Sequence, residues 1–302
     1  MKVIKTAILI FIFLIAQSSY AYEFKSQPFS QKPDNTKKKW NFQKDGTLQR
    51  FELRHGDTFG FDKTHDGQRV EVHTLWSNRT SAGKSYTRSK EIWTAAMLKV
   101  PSDFPTTEFN NKRTLNNYIF QLKSTTSTPL WTLNLDKGGT ELNMILNDSK
   151  QSCNSVKIEK EKWIEIVTYS NLATKGGSGI NKYFRFWVNG KETICKNKFM
   201  IVDRDQAKKA VNKDGASISW GIYRPAISRW LIANNKNIPQ NMKLKCGAAN
   251  WEIKGCRVGS PFNYEWENKL PTAILFYDKV YVGSKKPINL NVENLNEEPA
   301  YK

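Results

Sequence analysis

The sequence predicts an all-β fold, with antiparallel strands packed as a two-sheet sandwich or jelly roll. Three observations lead there. Short alternating or apolar runs recur from Trp40 onward; Gly, Asn, Asp and Pro punctuate them; and helical periodicity is confined to Asp205–Val211. So many strands with so little helix argue against a parallel α/β arrangement. A single domain over residues 40–284 is expected, because no long flexible linker divides that span.

The elements follow in order. Residues 1–21 read as a cleaved signal peptide of bacterial type: Lys2 and Lys5 form a basic n-region, Ala7–Ala16 an apolar stretch, and Ser19-Tyr20-Ala21 a small-residue cleavage site. That stretch is shorter than the roughly 20 residues needed to cross a bilayer. The expected product is therefore secreted or periplasmic, with no membrane span after cleavage. Residues 22–39, with Pro28, Pro33 and Lys37-Lys38-Lys39, read as a flexible arm. Predicted strands are Gln49–Leu53, Gln68–Thr74, Glu91–Val100, Asn117–Lys123, Leu130–Leu135, Glu141–Leu146, Trp163–Tyr169, Tyr183–Val188, Ile218–Tyr223 and Ala273–Val282. Two turns are well marked, at Lys137-Gly138-Gly139 and at Asn189-Gly190, the latter the strongest short hairpin signal. Residues 285–302 form a peripheral tail.

The 302 residues carry 47 Lys and Arg against 28 Asp and Glu, a formal charge of +19. Such a charge concentrates polyanions near the surface. Export argues against nucleic acid, and the lack of a basic amphipathic helix argues against anionic lipid. An acidic polysaccharide is left as the expected partner of a monomeric protein. Four cysteines in an exported chain allow three disulfide connectivities. Cys246 and Cys256 bracket a short loop, while Cys153 and Cys195 flank neighbouring strand-like runs; these two pairs are the expected ones. No Cys-x-x-Cys pair or nearby His points to a metal.

Period two sorts the side chains of several strands. Arg69, Glu71 and His73 lie opposite Val70 and Val72. Gln121 and Lys123 point away from Phe120 and Leu122. Ser219, Gly221 and Tyr223 lie opposite Ile218, Trp220 and Ile222, and Gly221 would let a ligand approach the backbone beside Tyr223. Arg224 and Arg229 stand nearby, and Tyr183, Arg185 and Trp187 would extend the same polar face. Solvation is the bland account of such a face. Its residues are nevertheless of reactive types, mixed with aromatics as a sugar-binding groove requires.

The segment Arg50–Asp57 followed by Arg69-Val70-Glu71-Val72-His73 resembles the opening of the heparin lyase I-like polysaccharide lyases, a group related in fold to the glucuronan and alginate lyases. Gln121-Leu122-Lys123, Trp163–Tyr169, Phe184–Lys191, Gly221-Ile222-Tyr223-Arg224, Ser228-Arg229-Trp230 and Phe276–Gly283 succeed one another in the family's order, covering roughly residues 48–284. The resemblance implies a concanavalin A-like jelly roll whose concave sheet holds substrate, and cleavage of a uronate-containing polysaccharide by β-elimination. That chemistry needs a group to neutralise the carboxylate, a base for the C5 proton and an acid for the departing O4. The resemblance gives Gln121 the first role and Tyr223 that of acid, base or both. It implies substrate contacts for Arg69, Glu71, Tyr183, Arg185, Arg224 and Arg229.

Three departures from the family pattern bear on the site. Lys123 stands where Gln-x-His is usual, His73 where Arg-x-Glu-x-Arg ends, and Ser219 where the heparin lyase branch tends to place Lys. An exchange of jobs across strands accounts for two of them, with Lys123 neutralising the carboxylate and His73 acting as base. A non-catalytic, lectin-like binder of acidic polysaccharide is the alternative. A glycoside hydrolase would need two spaced carboxylates, and no Glu-x-Asp-x-x-Glu strand occurs. No Gly-x-Ser-x-Gly elbow is present, and Gly176-Gly177-Ser178-Gly179 lacks the Lys-Ser/Thr of a phosphate loop. Asp57, Asp62 and Asp66 offer oxygen ligands for a structural calcium at a spacing that fits no EF-hand; solvated loop acids are the other reading. No other cofactor is expected. His55 and His65, flanking that loop, are expected to face solvent. Asn78-Arg79-Thr80 matches a glycosylation sequon.

Overall fold

The computed structural model describes residues 38–58, 60–76, 91–109, 113–124, 129–136, 138–146, 151–171, 184–195, 216–238, 260–283 and 286–287. Among these residues sixteen strands, numbered along the chain, form two seven-stranded sheets and one short pair. The back sheet runs β1 (Phe42–Asp45), β2 (Leu48–Leu53), β16 (Ala273–Gly283), β4 (Glu91–Lys99), β12 (Trp163–Asn171), β13 (Phe184–Val188) and β14 (Lys191–Glu192). The front sheet runs β10 (Gln151–Ser152), β9 (Glu141–Leu146), β8 (Pro129–Asp136), β7 (Tyr118–Ser124), β15 (Ala216–Pro225) and β3 (Gly67–Trp76), with β11 (Val156–Lys157) also paired to β9. The minor pair is β5 (Glu108–Phe109) with β6 (Arg113–Thr114). Among the described residues strand pairing is antiparallel, in keeping with the all-β reading.

Alternation builds the core between the sheets. Phe51, Leu53, Ile92, Ala96, Leu98, Ile166, Phe186 and Leu275 come from the back sheet; Val70, Val72, Phe120, Leu122, Leu133, Ile218 and Ile222 come from the front. Among the described residues at least three side chains bridge the layers by hydrogen bonds, one being Trp220, whose Nε1 donates to Gln49 Oε1 at 2.8 Å. Trp131 Nε1 donates to Ser170 Oγ at 3.0 Å, and the Tyr277 hydroxyl lies 2.9 Å from both the Ile119 and Gly221 carbonyl oxygens.

Each predicted strand is present, with ends shifted by a few residues. The helix Ser228–Ala233, named α1, was not expected from sequence. Its start is held by Asp66, which accepts from Ser228 N at 2.8 Å and Ser228 Oγ at 2.6 Å. The helix buries Trp230, Leu231 and Ile232 in a second cluster with Leu115, Trp266 and Leu270. The Cys153–Cys195 disulfide forms as expected and ties the end of the front sheet to the end of the back sheet. The segment Asp205–Val211, the pair Cys246 and Cys256, Tyr183, the sequon and the Gly176–Gly179 loop lie outside the described residues, as does the signal segment. Among the described residues no helix is long and apolar enough to cross a membrane.

Candidate functional site

Three neighbouring front-sheet strands carry the residues the sequence singles out. β15 lies between β7 and β3, and its register sets Ser219 opposite His73 on one side and Gln121 on the other. Tyr223 is set between Arg69 and Tyr118 in the same way. Since Val70, Val72, Leu122, Ile218, Trp220 and Ile222 are buried in the core, the alternate positions face outward. Arg69, Glu71, His73, Gln121, Lys123, Ser219 and Tyr223 therefore meet on one outer face.

A chain of charge-assisted contacts runs across that face. Arg69 engages Asp62 through two donors, with Nη2 to Oδ1 at 2.9 Å, and its Nη1 lies 3.4 Å from Glu71 Oε2. Glu71 Oε1 accepts from Gln121 Nε2 at 2.5 Å. The Arg69 guanidinium also stacks on the Tyr223 ring, 4.1 Å from carbon to centroid. Glu71, although on the outward face, is only 2% exposed, with one oxygen on Gln121 and the other on Arg69. Arg69 and Glu71 thus hold their neighbours rather than presenting free groups. His73 Nδ1 lies 2.6 Å from Ser219 Oγ, on the strand that separates it from Gln121.

This setting shifts three groups. Burial pushes the Tyr223 phenol up to about 12; the Arg69 charge opposes the rise, while Asp62, Glu71 and Tyr118 add to it. Burial lowers the Lys123 ammonium from its ordinary value, the Arg69 charge adds to this, and Glu71 and Asp62 pull the other way. For Arg69 burial disfavours the charge, but the Asp62 and Glu71 carboxylates outweigh it and hold the guanidinium above its ordinary range. Tyr223 is therefore a proton donor at neutral pH, and Lys123 on the same face is readier than usual to lose its charge.

Sequence reasoning missed Tyr118. Period two sends it to the side of Phe120, yet its ring lies 5.9 Å from that of Tyr223, with its hydroxyl 3.2 Å from Asn116 Nδ2. The reason is a register shift between Tyr118 and Phe120 against β8, and between Trp220 and Tyr223 against β7. A bulge reverses the side to which the following residue points. Gly221 was the signal, although its role differs from the expected one. With φ +134, a Cβ there would lie 2.2 Å from Val70 O and 3.0 Å from Phe51 Cδ1. The glycine clears the protein's own backbone rather than a ligand's path.

Other expected site residues lie elsewhere. Arg185 belongs to the back sheet, where it pairs with Glu192 and stacks 4.5 Å over Trp187 beside Trp93 and Tyr169. It does not extend the front face. Arg224 alternates inward and is fully buried, donating to Asn117 Oδ1 at 2.8 Å and to Pro271 O at 2.7 Å; burial pushes its guanidinium down to about 9. A side chain sealed there cannot reach a polymer. Arg229 sits on α1, off the sheet.

The loop acids do not converge either. Asp57 accepts from Lys38, Trp40, Asn41 and the Arg54 amide; Asp62 is taken by Arg69 and Asp66 by Ser228. Among the described residues no group of three His, Cys, Asp or Glu is placed to hold a metal ion. His55 is half-buried, against the expectation of solvent exposure. It accepts from Leu270 N at 3.1 Å and meets Phe262 edge-on, and burial lowers its pKa.

Among solved structures, this chain is similar to the alginate lyase AlgAT5 of polysaccharide lyase family 7, at 11% identity and TM-score 0.43, covering 83% of each chain. The marine family 7 alginate lyase AlyA1 from Zobellia galactanivorans gives 10% identity and TM-score 0.45, over 82% of each chain. A sialidase gives 12% identity and TM-score 0.43 over 82% of this chain, which spans only 16% of that protein. A search of curated proteins found no match. The family model described as Polysaccharide lyase matches residues 18–242, most of the chain. The chain accordingly belongs to the polysaccharide lyase family.

Proposed function

We propose that the front face cleaves an acidic, uronate-containing polysaccharide by β-elimination, and that the protein acts outside the cytoplasm. The single observation that carries this reading is that His73, Gln121, Lys123 and Tyr223 share one outer face of three adjacent strands. Gln121 keeps one amide N–H on Glu71 and has a second to offer a substrate carboxylate. With the Lys123 ammonium it neutralises that carboxylate, which acidifies the C5 proton. His73, steadied by Ser219, takes the proton. The C5–H electrons become the C4–C5 double bond, the C4–O4 bond breaks, and O4 leaves with the Tyr223 proton. The ordered motifs further support a heparin lyase I-like branch within the family.

One observation favours a second reading, a glycan-binding sandwich without catalysis. Arg69, the cation nearest Tyr223, is committed to Asp62 and Glu71. The product separates the two, since only a lyase leaves an unsaturated sugar at the new end. A panel of alginate, glucuronan and glycosaminoglycans, followed by ultraviolet absorbance of the unsaturated uronate, tests this. Wild type is expected to form product, and His73→Ala and Tyr223→Phe each to lose roughly 10²- to 10⁴-fold in kcat. A fully active His73→Ala would remove the imidazole from the mechanism.

A further inference from the structure

The back sheet sends one polar side chain through the core to the strand irregularities beneath the site. Tyr277 on β16 is fully buried, its ring edge-on to Phe51 at 5.3 Å and to Phe120 at 5.7 Å. Its hydroxyl lies 2.9 Å from the carbonyls of Ile119 and Gly221. These residues lie within the two register shifts, Ile119 between Tyr118 and Phe120, Gly221 between Trp220 and Tyr223. A bulge leaves backbone groups outside the regular ladder. A carbonyl turned into an apolar core needs a donor, and the Tyr277 hydroxyl is placed to supply one.

Parity shows what depends on this contact. Gln121 and Tyr118 are three apart yet share the outer face, which only the irregularity at Ile119 allows. Gln121 and Lys123 pair with β15 on the regular side of the shift; Tyr118 and Tyr223 pair beyond it. The carboxylate-holding groups and the proton-donating phenol are thus joined through a deformable stretch of backbone.

We propose that Tyr277 is a positioning residue, whose hydroxyl holds the paired bulges at Ile119 and Gly221 and so sets Tyr223 and Tyr118 against Gln121 and His73. Its catalytic readout rests on the lyase reading above; its backbone readout does not. Burial keeps the Tyr277 phenol well above the ordinary tyrosine range, so it remains a donor at any pH the enzyme meets.

The experiment compares Tyr277→Phe with Ser170→Ala. Both delete a buried hydrogen bond between the sheets, but the Trp131–Ser170 bond touches neither bulge. With both proteins folded, Tyr277→Phe is expected to lower kcat by roughly a hundredfold, as a misplacement near 1 Å does. KM should stay within about a factor of three, since the carboxylate-holding groups pair with β15 on the regular side of its shift. Amide hydrogen exchange at residues 221–223 should quicken in Tyr277→Phe alone. Equal activity losses in both variants, or unchanged exchange at 221–223, would overturn the proposal. If wild type forms no unsaturated product, the lyase reading fails, and the exchange comparison still decides the positioning. If Tyr277→Phe does not accumulate as folded protein, native-state exchange of wild type in rising urea replaces it. Amides 221–223 should then open together with those of Leu275–Tyr277, and independent opening would overturn the proposal.

Discussion

At Lys123 the side chain is drawn two ways. Burial and the Arg69 charge favour the neutral amine, while Glu71 and Asp62 favour the ammonium, and burial wins. An arriving uronate carboxylate would add negative charge to a cluster whose two buried acids are already matched by Arg69 and Lys123. Among the residues here assigned to the carboxylate, only Lys123 can lose its charge by titration, so the alkaline limb of kcat/KM should belong to it. That limb is expected below the ordinary lysine value of about 10.4. Tyr223, held near 12, would still carry its proton there. The ordinary guanidinium value lies well above that of an ammonium, so Lys123→Arg should shift the limb upward in a pH–rate profile. A limb that stays in place in that variant would assign it to another group. The same balance explains why the sequence could nominate Lys123 but not its state: the charges that set it come from β3 and from the turn at Asp62, both distant in sequence.

The strands themselves were legible because two-residue alternation survives along most of β3, β7 and β15. His73, Gln121 and Tyr223 reach a common face as that alternation predicts. Where it breaks, the reading failed. Tyr118 falls on the wrong parity, and Gly221 marked the break without revealing its cause, since a strand glycine fits either a bulge or a ligand's approach. Arg185 alternates correctly on β13, but alternation does not say which sheet a strand joins. Arg224 failed differently, because one residue past Tyr223 the same periodicity turns a cation into the core, where Asn117 and Pro271 receive it. The bulge also yields a prediction. At Gly221 an alanine must take a positive φ and meet Val70 O at 2.2 Å, with backbone rather than a flexible side chain in the way. Gly221→Ala should therefore cost about 3 kcal/mol, read as a lower urea midpoint with an unchanged m-value. A midpoint equal to wild type would mean that the strand can shed the bulge freely.

For the whole molecule, the decisive quantity is the surplus of positive charge. The interior acids are spoken for: Glu52 by Arg50 and Arg54, Asp57 by Lys38, Asp62 and Glu71 by Arg69. The formal charge of the chain is +19. It has two consequences of opposite sign. It draws in a polyanion, and it repels itself, loosening the folded state. Salt screens both, with a Debye length of about 10 Å at 0.1 M. Raising sodium chloride from about 0.05 M to about 0.5 M should thus lower kcat/KM by roughly tenfold through KM. Over the same range the melting temperature should rise, and kcat at saturating substrate should hold, because the groups proposed for the elimination are partly or fully buried, where salt screens less. Initial rates and thermal melts on one salt series check all three. A kcat/KM that does not move with salt would mean that the surplus charge plays no part in capturing substrate, and that the front face alone selects it.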